Sequence, residues 1–546
     1  MLRRFVAPIL FVAFLLILLL RIPDAMAGRS DAHEAFDPLI ESRRILLDRF
    51  VDPIDEEDAF RAAIDGYIAS LGDPYTQYVP PSAKEDFNKS LLGEYAGIGA
   101  EVNMVDGVFT IISPMAGSPA LAGGMRAGDA VLAIDGTSIE GLETQAVIDR
   151  LTGPINSTVA VRVRHAGGDE ADLTIQRRRI VTRTARGLVR DGEGWRWCID
   201  PELGLTYVRL TQFNPASAEE LARALKATEA TRPTQGIILD LRDNPGGGLS
   251  TAIAVSDLFL DAGLIVRVAP RVGQAASYAA RPGTVVDASV PIVVLVNGSS
   301  ASASEIVAGS LQAAGRAHVL GTRSYGKGSV QEVRELQFGG GTLKYTIALY
   351  ELANGRTIHR TDDAEDWGVD PDPGMVVPMS DAAYLRMLQA RRPFEVISQS
   401  NAERDAAAAE DRAPACVAPD WARDTIGDAQ LAAAIDALRE RIVAGSWSET
   451  SILDPATVAR SEELRRIAAA RNEIVARLQE LDERIAALRP DAADADPRVT
   501  LPEAEALANA TIELRGEDGE LLGRYRTDGR GLRRALEGVE LSPATP

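Results

Sequence analysis

The residues best suited to chemistry are a serine, a lysine and a glutamine in two short stretches. The run Asn297-Gly298-Ser299-Ser300-Ala301-Ser302-Ala303-Ser304-Glu305-Ile306 follows a strand-like segment and opens a helix-like one. A serine there lies beside backbone N–H groups that can stabilise developing negative charge. The same letters also spell a helix cap, since Ser302-x-x-Glu305 has the form of a capping box; taken alone, the stretch supports either role. The second stretch, Ser324-Tyr325-Gly326-Lys327-Gly328-Ser329-Val330-Gln331, sets Lys327 between two glycines. On so tight a backbone the lysine can be desolvated, which lowers its pKa until the neutral amine can serve as a general base. An exposed Gly-Lys-Gly turn is the plainer reading. In a strand, Lys327 and Gln331 point to one face, because side chains repeat every two residues; the amide of Gln331 can then position the amine and donate to its lone pair. The stretch is not a phosphate-binding loop, because the spaced glycine before it and the helix after it are missing.

A third stretch, Asp240-Leu241-Arg242-Asp243-Asn244-Pro245-Gly246-Gly247-Gly248, comes directly after a buried-looking strand. Three glycines let backbone N–H groups approach a substrate closely, as an oxyanion donor must, although a plain strand-to-helix turn reads the same way. No histidine offers a rival scheme. There is no Gly-x-Ser-x-Gly elbow, and none of His33, His165, His318 and His359 stands in a triad-like context. In a Ser–Lys pair the lysine takes the serine proton and returns it to the leaving amine.

The elements that must position these groups follow from periodicity and turn residues. From about Asp31 to Phe87 apolar residues recur at helical spacing (Leu39, Ile40, Ile45, Leu46, Phe50; then Phe60, Ile64, Ile68), until Pro74, Pro80 and Pro81 break the pattern. From Gly93 to about Arg179 the texture is short strands and glycine turns. Ala100–Val105 and Val108–Ile112 flank Asp106-Gly107, a strong hairpin signal. Ala130–Ile134, a helix-like Thr144–Leu151, and paired strands Val159–Arg164 and Asp172–Gln176 complete a small β-rich domain. From Val181 to about Pro378 the chain reads as α/β, with buried strands Leu205–Leu210, Gly236–Leu241 and Pro291–Val296 and helices Ala218–Thr228, Leu249–Leu260 and Ser302–Ala314. Beyond Met379, Asp405–Ala413 reads as a linker, Glu462–Leu488 as a charged helix with a near-heptad apolar stripe, and Ala510–Arg526 as a hairpin. The stripe suits pairing with another helix or chain, or packing on its own domain.

Together the stretches resemble the carboxyl-terminal processing, or tail-specific, serine protease family. The resemblance rests on Asp73-Pro74-Tyr75-Thr76-Gln77-Tyr78, Leu241–Gly247, Ser300–Glu305 and Gly326–Gln331, in that order. It implies Ser302 as nucleophile, Lys327 as base 25 residues downstream, and Gln331 as the assisting amide. It further implies an oxyanion hole from the N–H of Ala303 and of Gly246 or Gly247. It also implies a PDZ domain ahead of the core, in which Gly97, Ile98, Gly99 and Ala100 form the loop that cradles a chain-terminal carboxylate. The expected fold class is an α/β multidomain chain, and its expected divisions are a leader at 1–27, a helical region at 28–92, a PDZ domain at 93–179, a Ser–Lys protease core with a mixed sheet at 180–378, and a mostly helical extension at 379–546. The resemblance covers roughly residues 35–380; after about residue 400 the chain departs from the family pattern, which gives no guide to the tail.

Composition bounds the partners. The 546 residues are too many for one core. A net charge of −21 argues against nucleic acid. The cysteines and histidines have no metal-ligand spacing, and no cofactor is expected. Cys198 and Cys416 read either as one disulfide or as two unpaired thiols. Arg3 and Arg4, the apolar run Phe5–Leu20 and the small-residue exit Ala25-Met26-Ala27 have the layout of a signal peptide. The leader, whether cleaved or retained as an inner-membrane anchor, places the remainder outside the cytoplasm, in the periplasm or cell envelope. The expected activity is an endopeptidase acting on proteins with accessible C-termini. Two rivals are a PDZ peptide-binding module on an inactive core, and an assembly protein whose C-terminal helices join copies or an adaptor.

Overall fold

The computed structural model describes residues 36–84, 87–88, 93–337, 340–361, 364, 366–397, 413–447, 453–488, 511–515 and 521–526. The leader lies outside the described residues, as does nearly all of the linker expected at Asp405–Ala413. Helices α1 (Asp37–Arg49) and α2 (Glu56–Ala69) open the described chain, the second capped by Asp55, whose carboxylate accepts from the Glu57 and Asp58 N–H groups. The single expected helical stretch thus divides in two before it gives way to the short strand β1 (Gln77–Val79).

The β-rich domain follows, with β2 (Glu94–Gly97), β3 (Ala100–Val105), β4 (Val108–Pro114), β5 (Ala130–Ile134), α3 (Thr144–Leu151), β6 (Thr158–Arg164), β7 (Glu170–Gln176) and β8 (Arg178–Val181). Asp106 and Gly107 both take positive φ (50° and 79°), as the two-residue turn joining β3 to β4 requires. The sheet runs β3-β4-β5-β6-β7, and β2 pairs antiparallel with β8. Alternation along β6 buries Val159, Val161 and Val163 against Phe109 and Ile111.

The core comprises β9 (Ala185–Arg186), β10 (Cys198–Asp200), β11 (Leu205–Leu210), α4 (Ser217–Thr231), β12 (Gly236–Asp240), α5 (Leu249–Asp257), β13 (Leu264–Pro270), β14 (Ala276–Ala279), β15 (Ile292–Val296), α6 (Ala303–Ala313), β16 (His318–Gly321), β17 (Ser329–Glu335) and β18 (Thr342–Leu352). Strands β11, β12, β15 and β16 are parallel neighbours in that order, and every residue of β12 and β15 is buried. A parallel sheet of this kind needs helices on both faces. One face, with Ile237, Leu239 and Val294, packs on residues of α4, α5 and α6. A second sheet runs β1-β18-β13-β14, with β17 paired to β18.

Beyond Met379 lie α7 (Asp381–Glu395), α8 (Ala429–Ala444) and α9 (Pro455–Leu488). The other face of the parallel sheet, with Ile238, Val293 and Leu295, is covered by Leu431, Ile435 and Leu438 of α8. Residues that the sequence set apart as an extension therefore complete the core. Helix α9 begins at Pro455, seven residues earlier than its pattern suggested, and Leu464, Ile467, Ile474, Leu478 and Leu481 of its stripe are exposed. The chain divides into two compact units after Ala459; the second contains the hairpin strands β19 (Thr511–Arg515) and β20 (Leu521–Arg526). Cys198 and Cys416 are free thiols. Among the described residues no helix is long and apolar enough to cross a membrane, and no cluster has a metal-binding set of side chains.

Candidate active site

Three loops leave the carboxyl ends of neighbouring parallel strands, the usual place for a site on an open α/β sheet. The loop after β12 carries Asp243–Gly248, the loop after β15 carries Ser302, and the loop after β16 carries Lys327. Ser302 is the N-cap of α6 with φ 56° and ψ −111°. For a non-glycine residue this backbone costs on the order of 1–3 kcal/mol and holds the side chain at a sharp strand-to-helix elbow. Asp243, in the neighbouring loop, is likewise at positive φ (57°), and its carboxylate accepts from Asn297 Nδ2 at 2.8 Å and from the Tyr384 hydroxyl of α7.

The lysine lies just before β17. Its Nζ donates to Gln331 Oε1 at 2.6 Å. The Gln331 Nε2 is occupied elsewhere, donating to Ser329 Oγ (2.9 Å) and Thr346 Oγ1 (3.2 Å). The amide therefore presents its oxygen to the amine, reversing the expected donation to the lone pair. Burial pushes the Lys327 ammonium down to about 8, and Lys344 adds to the fall; Glu305 and Asp73 oppose it. The ring of Tyr75 lies 4.9 Å from Nζ. The segment that brings Tyr75 there is stitched in place. Asp73 accepts from the Tyr75 N–H (3.0 Å) and the Thr76 hydroxyl (2.5 Å), the Thr346 N–H donates to Thr76 Oγ1 (3.2 Å), and β1 pairs with β18.

One buried carboxylate joins the serine loop to the lysine loop. Glu305 Oε2 accepts from the N–H groups of Ser302 (2.7 Å) and Lys327 (2.9 Å), and Oε1 from the Ser324 hydroxyl (2.5 Å) and the Gly326 N–H (2.6 Å). Burial raises its pKa to about 7 against the pull of these four donors. The Tyr350 hydroxyl adds a second tie, 2.7 Å from the Lys327 carbonyl oxygen and 3.1 Å from that of Ser302. The sequence offered Glu305 only as a cap, and Tyr350, on the far side of a hairpin, gave no local signal.

The glycine loop packs directly on the serine. A Cβ at Gly246 (φ 96°) would lie 2.8 Å from the Ser302 Cβ and 2.9 Å from the Ala303 nitrogen, so only glycine fits. The Gly246 N–H is already used by Asn244 Oδ1 (2.9 Å). Gly247 N–H and Ala303 N–H have no hydrogen-bond partner among the described residues. Below the loop, Arg242 is fully buried between Asp240 (2.7 Å) and Asp428 (2.8 Å) at the start of α8.

In the β-rich domain an apolar groove of about 270 Å³ is walled by Ile98, Gly99, Ala100 and Val102 on one side and Ile148 and Leu151 of α3 on the other. Three of the four expected loop residues border it. Gly97 does not: it lies in β2 opposite Arg178, close under the Tyr95 ring.

These features define a serine hydrolase core with an attached peptide-binding domain. The comparisons agree. The model of peptidase family S41 matches residues 204–374, and that of the PDZ domain matches residues 110–165. A carboxy-terminal-processing protease of Bartonella bacilliformis is 35% identical over 329 residues, 59% of this chain and 71% of the relative. Carboxy-terminal processing protease CtpA of Bacillus subtilis is 30% identical over 67% of this chain and 74% of its own. A carboxyl-terminal-processing protease of Synechocystis is 32% identical over 62% and 77%. The chain belongs to peptidase family S41 and carries a PDZ domain.

Proposed function

We propose that Ser302 and Lys327 form the dyad of a C-terminal processing endopeptidase, with Gln331 holding the amine. A substrate tail docks in the PDZ groove at Ile98–Ala100 as an added strand, and the chain upstream of the tail enters the core. Ser302 Oγ attacks the scissile carbonyl carbon while the neutral Lys327 takes its proton. The oxyanion accepts from the N–H groups of Ala303 and Gly247, the residues that follow Ser302 and the Gly246 packed on it, both left without partners among the described residues. The ammonium returns the proton to the leaving amine, and water, deprotonated by the same lysine, releases the acyl group from Ser302. The observation that carries this reading is the half-buried lysine, lowered to about 8 and held by Gln331 on a loop tied to Ser302 through Glu305. The test is cleavage of a protein bearing an apolar C-terminal tail by wild type and Lys327→Ala. Equal turnover by the folded variant would remove the lysine from the mechanism.

The rival, a peptide-binding module on an inert core, gives the desolvated amine no purpose; tail binding without turnover by the pure protein would favour it. The basic start, apolar run and small-residue exit of the first 27 residues support export to the periplasm or cell envelope, with the leader cleaved or kept as an anchor. The exposed stripe of α9 supports a homo-oligomer or adaptor contact through that helix. Mass spectrometry of the mature N-terminus and sedimentation of a chain ending at Ala459 test these two points.

A further inference from the structure

We infer that the joint between the PDZ domain and the protease core holds a binding site for a small oxyanion, a phosphate or a carboxylate group. Between the two lies a cavity of about 80 Å³, several times what one water needs. Its charged lining is Arg183, Arg186, Arg190 and Arg392 against Glu101 and Glu395. The charges do not balance, and the imbalance is greater than the count suggests. Glu395 is already committed to Arg391 (2.9 Å) and Arg209 (3.6 Å), outside the cavity. Glu101 pairs with Arg186. Arg183, Arg190 and Arg392 form no ion pair among the described residues.

Arg190 is held ready for a ligand. Its guanidinium stacks 3.7 Å from the centre of the Trp195 ring and donates to the backbone carbonyls of Glu395 (3.1 Å) and Glu193 (2.9 Å). Burial, with Arg186 and Arg183 close by, pushes it down to about 10, against an opposing pull from Glu101 and Glu395. A fixed, half-buried guanidinium with no carboxylate partner is suited to an oxyanion. Arg183 and Arg392, both exposed, stand at the mouth, where they attract anions.

The cavity lies behind the peptide groove. Ala100 and Val102 of β3 line the groove, and Glu101 between them points into the cavity. An anion bound there competes with Glu101 for Arg186, the ion pair that links the peptide-binding strand to β9 of the core.

Isothermal titration of the full chain with inorganic phosphate, and separately with acetate, at matched ionic strength tests the site. Wild type should give saturable binding of at least one anion, and phosphate against acetate tells a phosphate-bearing ligand from a chain carboxylate. The Arg183→Met/Arg190→Met variant should bind at least roughly tenfold more weakly, the loss expected for charge-assisted hydrogen bonds. Glu101→Gln, which removes the competing carboxylate, should bind more tightly. No saturable binding of either anion by wild type, equal affinity in the folded double variant, or unchanged or weaker binding by Glu101→Gln would each overturn the proposal.

Discussion

Raising the pH from 7 to 9 should increase kcat/KM by a calculable factor if, as proposed, Lys327 reacts as the neutral amine. Burial and the neighbouring Lys344 lower its pKa to about 8. The neutral fraction is then about one-eleventh at pH 7 and ten-elevenths at pH 9, a rise of roughly tenfold that levels off above pH 9. A lysine at its ordinary value near 10.4 would instead give a rise of roughly a hundredfold over the same interval, with no plateau. Lys344 provides the perturbation. Its charge opposes protonation of Lys327, so Lys344→Met should let the Lys327 pKa climb and carry the rising limb to higher pH. The assay is initial-rate cleavage of a fluorogenic peptide with an apolar C-terminus, from pH 6 to 10, with wild type and Lys344→Met. A wild-type limb near 6.5 would point to an imidazole. A limb unmoved in the folded Lys344→Met variant would refute the electrostatic argument.

Other expectations concern the groups around the dyad. Glu305→Gln puts an amide nitrogen where two N–H groups, or an N–H and a hydroxyl, now donate; misplacing the serine and lysine loops should lower kcat/KM by roughly 10–100-fold, the equivalent of about 1–3 kcal/mol. Because Glu305 raises the Lys327 pKa, the same variant should move the remaining activity limb to lower pH. Ile148→Glu, in the groove wall, should raise KM for tailed proteins and leave kcat for a short tail-less peptide unchanged. Asp428→Ala leaves Arg242 and Arg391 short of counter-charge in the interior; unfolding in urea should show a loss of about 3–5 kcal/mol.

Much of this arrangement was legible in the sequence where local rules apply. Asp106-Gly107 marks the hairpin because only such residues take two successive positive φ values readily. The apolar runs at Gly236–Asp240 and Ile292–Val296 mark strands buried on both faces. Ser302, Lys327 and Gly246 stood out through their glycine and serine settings, each a backbone constraint written locally. Contacts between distant segments were not legible. Nothing near Glu305 announces that its carboxylate will accept from Gly326 and Lys327, more than twenty residues away. Nothing in α8 announces that Asp428 will close on Arg242 across 186 residues. The direction of the Gln331 amide was also hidden, because it is set by Ser329 and Thr346, and the second of these lies on the partner strand. That Asn244 occupies the Gly246 N–H, and no described group occupies that of Gly247, is likewise something periodicity does not report.

The dyad itself is tested most directly by replacing one oxygen. Ser302→Ala keeps the elbow and the hydrogen bonds made by its backbone. With folding verified by circular dichroism, cleavage of a tailed protein by this variant should fall by roughly 10⁴-fold or more against wild type, since the attacking atom is gone. Retention of wild-type turnover by folded Ser302→Ala would contradict the account.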